Sequence, residues 1–196
     1  MRYLKKTDRY NEILNTAIHI LIDEGIASIT ARKIAAHANI SVGQIHHHFK
    51  SVGQLKAQAL LNVTEQVIEK AELANSNQTI IEKIVNLVSP LEGHGGLVLR
   101  TLWNEAVFLA ERDADIKLAY KESTLKWHTT IITLITQANE DNILAVKAPS
   151  ELAWRLIALS CGIDTLAIID ECKFDKTAIK DHIMAVLYNE KTLPSN

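Results

Sequence analysis

Thr30 to Phe49 reads TARKIAAHANISVGQIHHHF, and this stretch decides the fold. Thr30 and Ser41 each precede a short run with helical spacing, where a hydroxyl accepts from a free N–H of the first turn. Asn39 and Ile40 make a tight connection. Residues 30–49 therefore read as two short helices joined by about four residues, the spacing of a helix-turn-helix. Ile34, Ala35, Ala38, Ile40, Ile45 and Phe49 are the set expected to pack the pair together. The outer face of the second helix then carries Val42, Gly43, Gln44, His46, His47 and His48. Small and hydrogen-bonding side chains on a short exposed helix suit base edges in a DNA major groove, and Gly43 lets the backbone come close. The same pattern fits a plain helical hairpin, and spacing alone leaves both open. Three consecutive histidines suggest a metal, but successive helical residues turn by about 100° and do not converge on one ion. No metal site and no cofactor is expected.

Working outward, the helical period persists. Ile13, Leu14, Ala17, Ile18, Leu21 and Ile22 recur at three and four, and Gly25 stands where a helix stops. Ser51 is placed to cap a longer helix, with Leu55, Ala59, Val63 and Val67 four apart, reaching about Ala74. Asn75-Ser76-Asn77 is a polar break. Ile80, Ile81, Ile84, Leu87 and Val88 predict another helix, ending near Ser89-Pro90. Glu92-Gly93-His94-Gly95-Gly96 holds three of the seven glycines and reads as a loop. Residues 97–111 are helical again. Asp113 or Asp115 opens a long helix carrying Ile116, Ala119, Tyr120, Ser123, Trp127, Ile131, Leu134 and Ile135. Residues 139–147 read as a loop, Pro149 opens a very apolar helix over 150–170, and Asp175 opens the last, with Ile179, Ile183, Val186 and Leu187. No segment reads as a strand, and the expected fold class is all-α.

Composition agrees. The 196 residues suit one compact unit or two small ones. With 47% hydrophobic and 22% charged residues, the balance is that of an ordinary soluble chain, and 7 Gly with 3 Pro leave too little turn material for a β-sandwich. No apolar run reaches the roughly 18–20 residues of a membrane span. No signal-type apolar segment follows the basic start, so a cytoplasmic location is expected. The net charge of −2 hides an asymmetry. Residues 1–50 carry seven Lys and Arg against four Asp and Glu, the rest 14 against 19, so a +3 head precedes a −5 body. The head also holds His19, His37, His46, His47 and His48. A basic head suits a polyanion.

The residues then add up to a resemblance. Ile13-Leu14-x-x-Ala17, Gly25, Thr30, Ile34-Ala35, Ala38-Asn39-Ile40-Ser41-Val42-Gly43 and Ile45-His46-His47-His48-Phe49 resemble the N-terminal domain of the tetracycline-repressor (TetR) family over about residues 9–60. The resemblance implies a three-helix DNA-binding domain over residues 1–52 and a helical ligand-binding and dimerisation domain over 53–196. It places Arg32 where a side chain reaches a base, and Arg suits guanine O6 and N7. Val42, Gly43 and Gln44 fall at the base-facing start of the recognition helix, with Gln44 suited to adenine. His46 stands where the family has Tyr, at the groove wall, and His48 at a phosphate contact. Thr30, Ser41, His47 and Lys50 complete the implied DNA-binding set. The chain departs from the family at Val52, in place of Lys, and at Gly53, in place of an acidic residue. Lys50 is the substitute cation.

In the body, Leu102-Trp103-x-Glu105, then Asp113-x-Asp115, Gly162-Ile163-Asp164-x-Leu166 and Phe174-Asp175-Lys176 resemble the choline-responsive, BetI-like subgroup of that family. Helices near 115–138 and 150–170 are the expected interface of a homodimer, which sets two recognition helices about 34–36 Å apart on a palindrome. The expected effector-binding residues are Trp103, Glu105, Phe108, Tyr120, Trp127, His128, Trp154 and Asp164, with Cys161 a further wall residue. Aromatic rings beside acids suit a cationic small molecule, although each of these residues also fits plain core or solvent-facing roles. Cys161 and Cys172, eleven apart, are too far along one helix to bridge. The partners implied are operator DNA and a small-molecule effector, with no membrane.

An enzyme is disfavoured. A di-iron bundle needs Glu-x-x-His pairs, and His94, His128 and His182 have no Glu three residues before them. No glycine-rich phosphate loop, zinc motif or nucleophile elbow occurs. A helical adaptor without DNA binding is the other alternative.

Overall fold

The computed structural model describes residues 6–74, 78–89, 93–167, 169 and 175–189. Among them run the helices α1 (Lys6–Glu24), α2 (Ala31–His37), α3 (Val42–His48), α4 (Val52–Ala74), α5 (Ile80–Val88), α6 (Gly93–Ala110), α7 (Ala114–Glu140), α8 (Pro149–Leu166) and α9 (Lys176–Asn189), with no strand. The protein is all-α.

Local chemistry sets most of these boundaries. Thr30 accepts from the Lys33 N–H at 3.2 Å, and Ser51 from the Gln54 N–H at 2.9 Å. Asp113 Oδ1 accepts from the N–H groups of Asp115 and Ile116, and Asp175 from that of Ala178. Ser41 with Gln44, and Thr79 with Glu82, form reciprocal capping boxes. After α1 the backbone turns through Gly25 at φ +88°, a conformation L side chains rarely adopt.

Three expectations are corrected. The glycine-rich segment at 92–96 is not a loop from Gly93 onward, because α6 starts there. Gly96 is buried, and tertiary packing overrides the roughly 1 kcal/mol each glycine costs a helix. The long helix continues to Glu140 rather than yielding to a loop at 139. The helix expected over 150–170 ends at Leu166, while Ile168, Asp170, Cys172 and Phe174 lie outside the described residues.

The chain divides into two compact units. The first joins the residues up to Val67 with Gly93–Ser123. Its core contains Ile13, Leu21, Ile34, Ile45, Phe49, Leu55 and Leu60, together with Leu102, Ala106, Ile116 and Ala119 from α6 and α7. The Thr64 and Ser123 hydroxyls meet at 2.9 Å, pairing a buried polar side chain on α7 with α4.

The second unit joins Ile68–Glu92 with the chain from Thr124 onward. Ile84 and Val88, Ile131 and Ile135, Leu152 and Leu156, and Ile183 and Leu187 bury one face each of α5, α7, α8 and α9. Between α7 and α8, Asn139 accepts from the Val146 N–H and donates to its carbonyl, which seats Leu144 and Val146 in this core.

The cap of α5 gives a pH-dependent expectation. The Thr79 backbone N–H, then its hydroxyl, and more weakly the charge of Lys180, hold the Glu82 carboxyl below its usual range. A depressed carboxylate contributes stability that is present above its ordinary value and lost as pH falls through the folded one. Thr79→Ala should lower stability by about 1 kcal/mol at neutral pH. The gap between Thr79→Ala and wild type, read as melting temperature, should narrow as pH drops below about 4.5. A gap constant from pH 7 to pH 3 would show that the Thr79 hydroxyl takes no part in holding the carboxylate.

Candidate nucleic-acid interface

The helix-turn-helix is built from the inside. Ile34 and Ala35 on α2, Ile45 on α3 and Phe49 just beyond it are buried. Phe49 stacks on Tyr10 of α1, ring centroids 4.7 Å apart and planes 18° from parallel. The Tyr10 hydroxyl donates to Gln58 on α4. The end of α3 is thus held against both long helices of the head. Ala38 and Ile40, also expected in this core, are half-buried.

Thr30, Arg32, Ser41, Val42, Gly43, Gln44, His46, His47 and Lys50 are exposed, and His48 is half-buried. A Cβ added at Gly43 meets only the Ser41 hydroxyl, at 3.9 Å, so the backbone there is open. Gln44 Oε1 accepts from the Ser41 N–H, closing the capping box on an exposed side chain. Lys33, by contrast, is paired with Glu24.

The residues expected at the effector are spread over both units. In the first, Trp103 and Tyr120 lie with ring centroids 4.8 Å apart, and exposed Phe108 carries the Arg112 guanidinium over its ring at 5.2 Å. Glu105 is half-buried, and its two oxygens accept from the backbone N–H groups of Ile26 and Ala27 at 2.8 and 2.7 Å. In the second unit, His128 stacks on Trp154 at 4.1 Å, and its Nε2 lies 3.1 Å from the Ser150 carbonyl. Trp127 donates to the Leu87 carbonyl at the end of α5. Asp164 and Cys161 are half-buried on α8. Sequence reasoning missed Tyr10 and Gln58 as the support of Phe49, and Asp115 as the partner of the Ser51 hydroxyl at 3.2 Å. These partners lie 39 to 64 positions apart, beyond any local pattern.

A short exposed helix, capped by Ser41 and pinned by Phe49 behind a second capped helix, is the architecture of a helix-turn-helix. The chain matches the family model "Bacterial regulatory proteins, tetR family" over residues 13–57. It is 24% identical over 180 residues to the HTH-type transcriptional regulator PksA of Bacillus subtilis, spanning 90% of this chain and 86% of that one. Its fold is similar to that of a TetR-family regulator from Rhodococcus sp., with a TM-score of 0.76 at 17% identity, covering 95% of this chain and 100% of that one. It is also similar to a regulator from Saccharomonospora viridis solved in complex with choline, with a TM-score of 0.70 at 21% identity over 93% and 96% of the two chains. The multidrug binding protein EbrR, solved with proflavin, gives a TM-score of 0.66 at 22% identity over 91% and 99%. Among the described residues no helix is long and apolar enough to cross a membrane.

Proposed function

We propose that the chain is a TetR-family regulator, a cytoplasmic repressor that clamps a palindromic operator as a homodimer and is released by a small molecule, a cation of the choline type. The observation that carries the reading is the open, capped recognition helix of a TetR-family head, with Val42, Gly43, Gln44, His46 and His47 exposed. Residues 1–52 are the DNA-binding domain and 53–196 the effector and dimer domain. Arg32 and Gln44 read bases, while Thr30, Ser41, His46, His47, His48 and Lys50 contact backbone and groove wall. Phosphate contacts supply much of the affinity.

The dimer reading is supported by large apolar side chains left outside on the two helices expected at the interface. These are Leu118 and Leu125 on α7 and Leu166 on α8, all 43–63% exposed. The effector reading is supported by an aromatic pair within each unit, Trp103–Tyr120 beside Phe108 in the first and His128–Trp154 in the second, and by the choline-bound neighbour. Choline is a quaternary ammonium, which aromatic faces bind. Membership of the BetI-like subgroup is part of the same proposal. The effector acts by binding better to the state whose heads are wrongly spaced.

The test is fluorescence anisotropy on the DNA upstream of the chain's own gene, at low and moderate salt, against scrambled DNA. Tight, sequence-preferring binding that weakens linearly in log affinity with log salt is expected. Arg32→Ala should cost about 1–3 kcal/mol and flatten the preference at one base pair. Equal binding to scrambled DNA across a genomic operator selection would sink the reading.

A further inference from the structure

The motif Leu102-Trp103-x-Glu105 with Asp113-x-Asp115 suggested a ligand site, yet each of its acids has a backbone or cap partner. Asp113 caps α7 itself. Glu105 and Asp115 reach back to the head. Glu105 takes the N–H groups of Ile26 and Ala27, in the connection between α1 and α2. Asp115 takes the hydroxyl of Ser51, in the connection between α3 and α4. In both places a glycine makes the approach possible. A Cβ on Gly25 would lie 2.7 Å from Glu105 Oε2, and one on Gly53 2.6 Å from Asp115 Oδ2. Both contacts put a carboxylate on backbone N–H groups or on the capped, positive end of α4.

The two held points bracket α2 and α3, which lie between them in the chain. We infer that Glu105 and Asp115 are positioning residues for operator recognition: two carboxylates from α6 and α7 grip the connections on either side of the helix-turn-helix and fix the direction in which α3 is presented. The inference rests on the dimeric-operator reading. In a two-headed complex the second head binds at an effective concentration set by how well the heads match the half-site spacing. Fixed heads match one spacing sharply. Loosened heads match several spacings less well and must be ordered on binding.

The experiment uses the full chain and the variants Glu105→Gln, Asp115→Asn and the double variant. Gln keeps the size of Glu105 but turns an NH2 toward one of the two donors. Anisotropy is read on the selected palindrome and on versions with the half-sites moved apart by one, two and three base pairs, alongside the melting temperature. The wild type should peak at one spacing. The double variant should lose on the order of tenfold at that spacing and show a visibly flatter profile, each single variant lying between. A destabilised head lowers affinity by a common factor at every spacing, so a profile of unchanged shape overturns the proposal, as does unchanged affinity. If the wild type binds palindrome and scrambled DNA alike, the operator reading falls and this inference falls with it. A sharp wild-type peak retained by all three variants removes this inference alone.

Discussion

Phe49→Ala should unfold the head. The side chain is 1% exposed and stacks on Tyr10 at 4.7 Å, so its removal loses the buried area and leaves a cavity that α1, α3 and α4 cannot close together. Phe→Ala in a packed core costs about 3–5 kcal/mol, a large share of the roughly 5–15 kcal/mol that holds an average domain. A fall in melting temperature and loss of near-ultraviolet signal are expected, with operator binding abolished. Phe49→Leu, which keeps most of the volume, should retain most of both. If Phe49→Ala melts within a degree or two of wild type, the stack is not what pins α3.

Gly43→Asp should do the reverse, destroying operator binding in a chain that is no less stable. Gly43 is the second residue of α3, and a Cβ there meets only the Ser41 hydroxyl, at 3.9 Å, an ordinary contact. An acidic residue in the first turn gains roughly 0.3–1 kcal/mol from the helix dipole and removes a glycine entropy cost of similar size. Against DNA the same carboxylate meets phosphates and base edges, and like charge at a close interface costs several kcal/mol. Affinity should drop by at least about 100-fold, near 2.7 kcal/mol, with an equal or higher melting temperature. Retained affinity would show that α3 does not approach DNA through its N-terminal turn.

The two variants mark what the sequence makes legible and what it does not. Thr30, Ser41, Asp113 and Asp175 could be read as caps because each bonds an N–H two or three residues on, well within a local window. The stripe Ile13, Ala17, Leu21 shows because a period of 3.6 needs only the segment itself. The start of α6 at Gly93 was illegible, since glycine is a weak helix former and only the packing around buried Gly96 reveals the exception. Glu105 looked like a ligand-binding acid beside Trp103. Its partners at Ile26 and Ala27 lie 79 and 78 residues away, and no spacing rule connects them. The head shows the same limit. The second helix of the helix-turn-helix ends at its C-cap Phe49, but the packing of its unit continues through Gly93–Ser123.

The three indoles are unevenly shared. Trp103 is the sole tryptophan of the first unit, and Trp127 and Trp154 both belong to the second. Trp154 is partly exposed against an imidazole, whereas Trp127 donates to a carbonyl. The chain therefore carries its own optical labels. A variant keeping only Trp103 emits from the unit that holds the head, and one keeping only Trp154 emits from α8, so intrinsic emission can time events in each without an added dye.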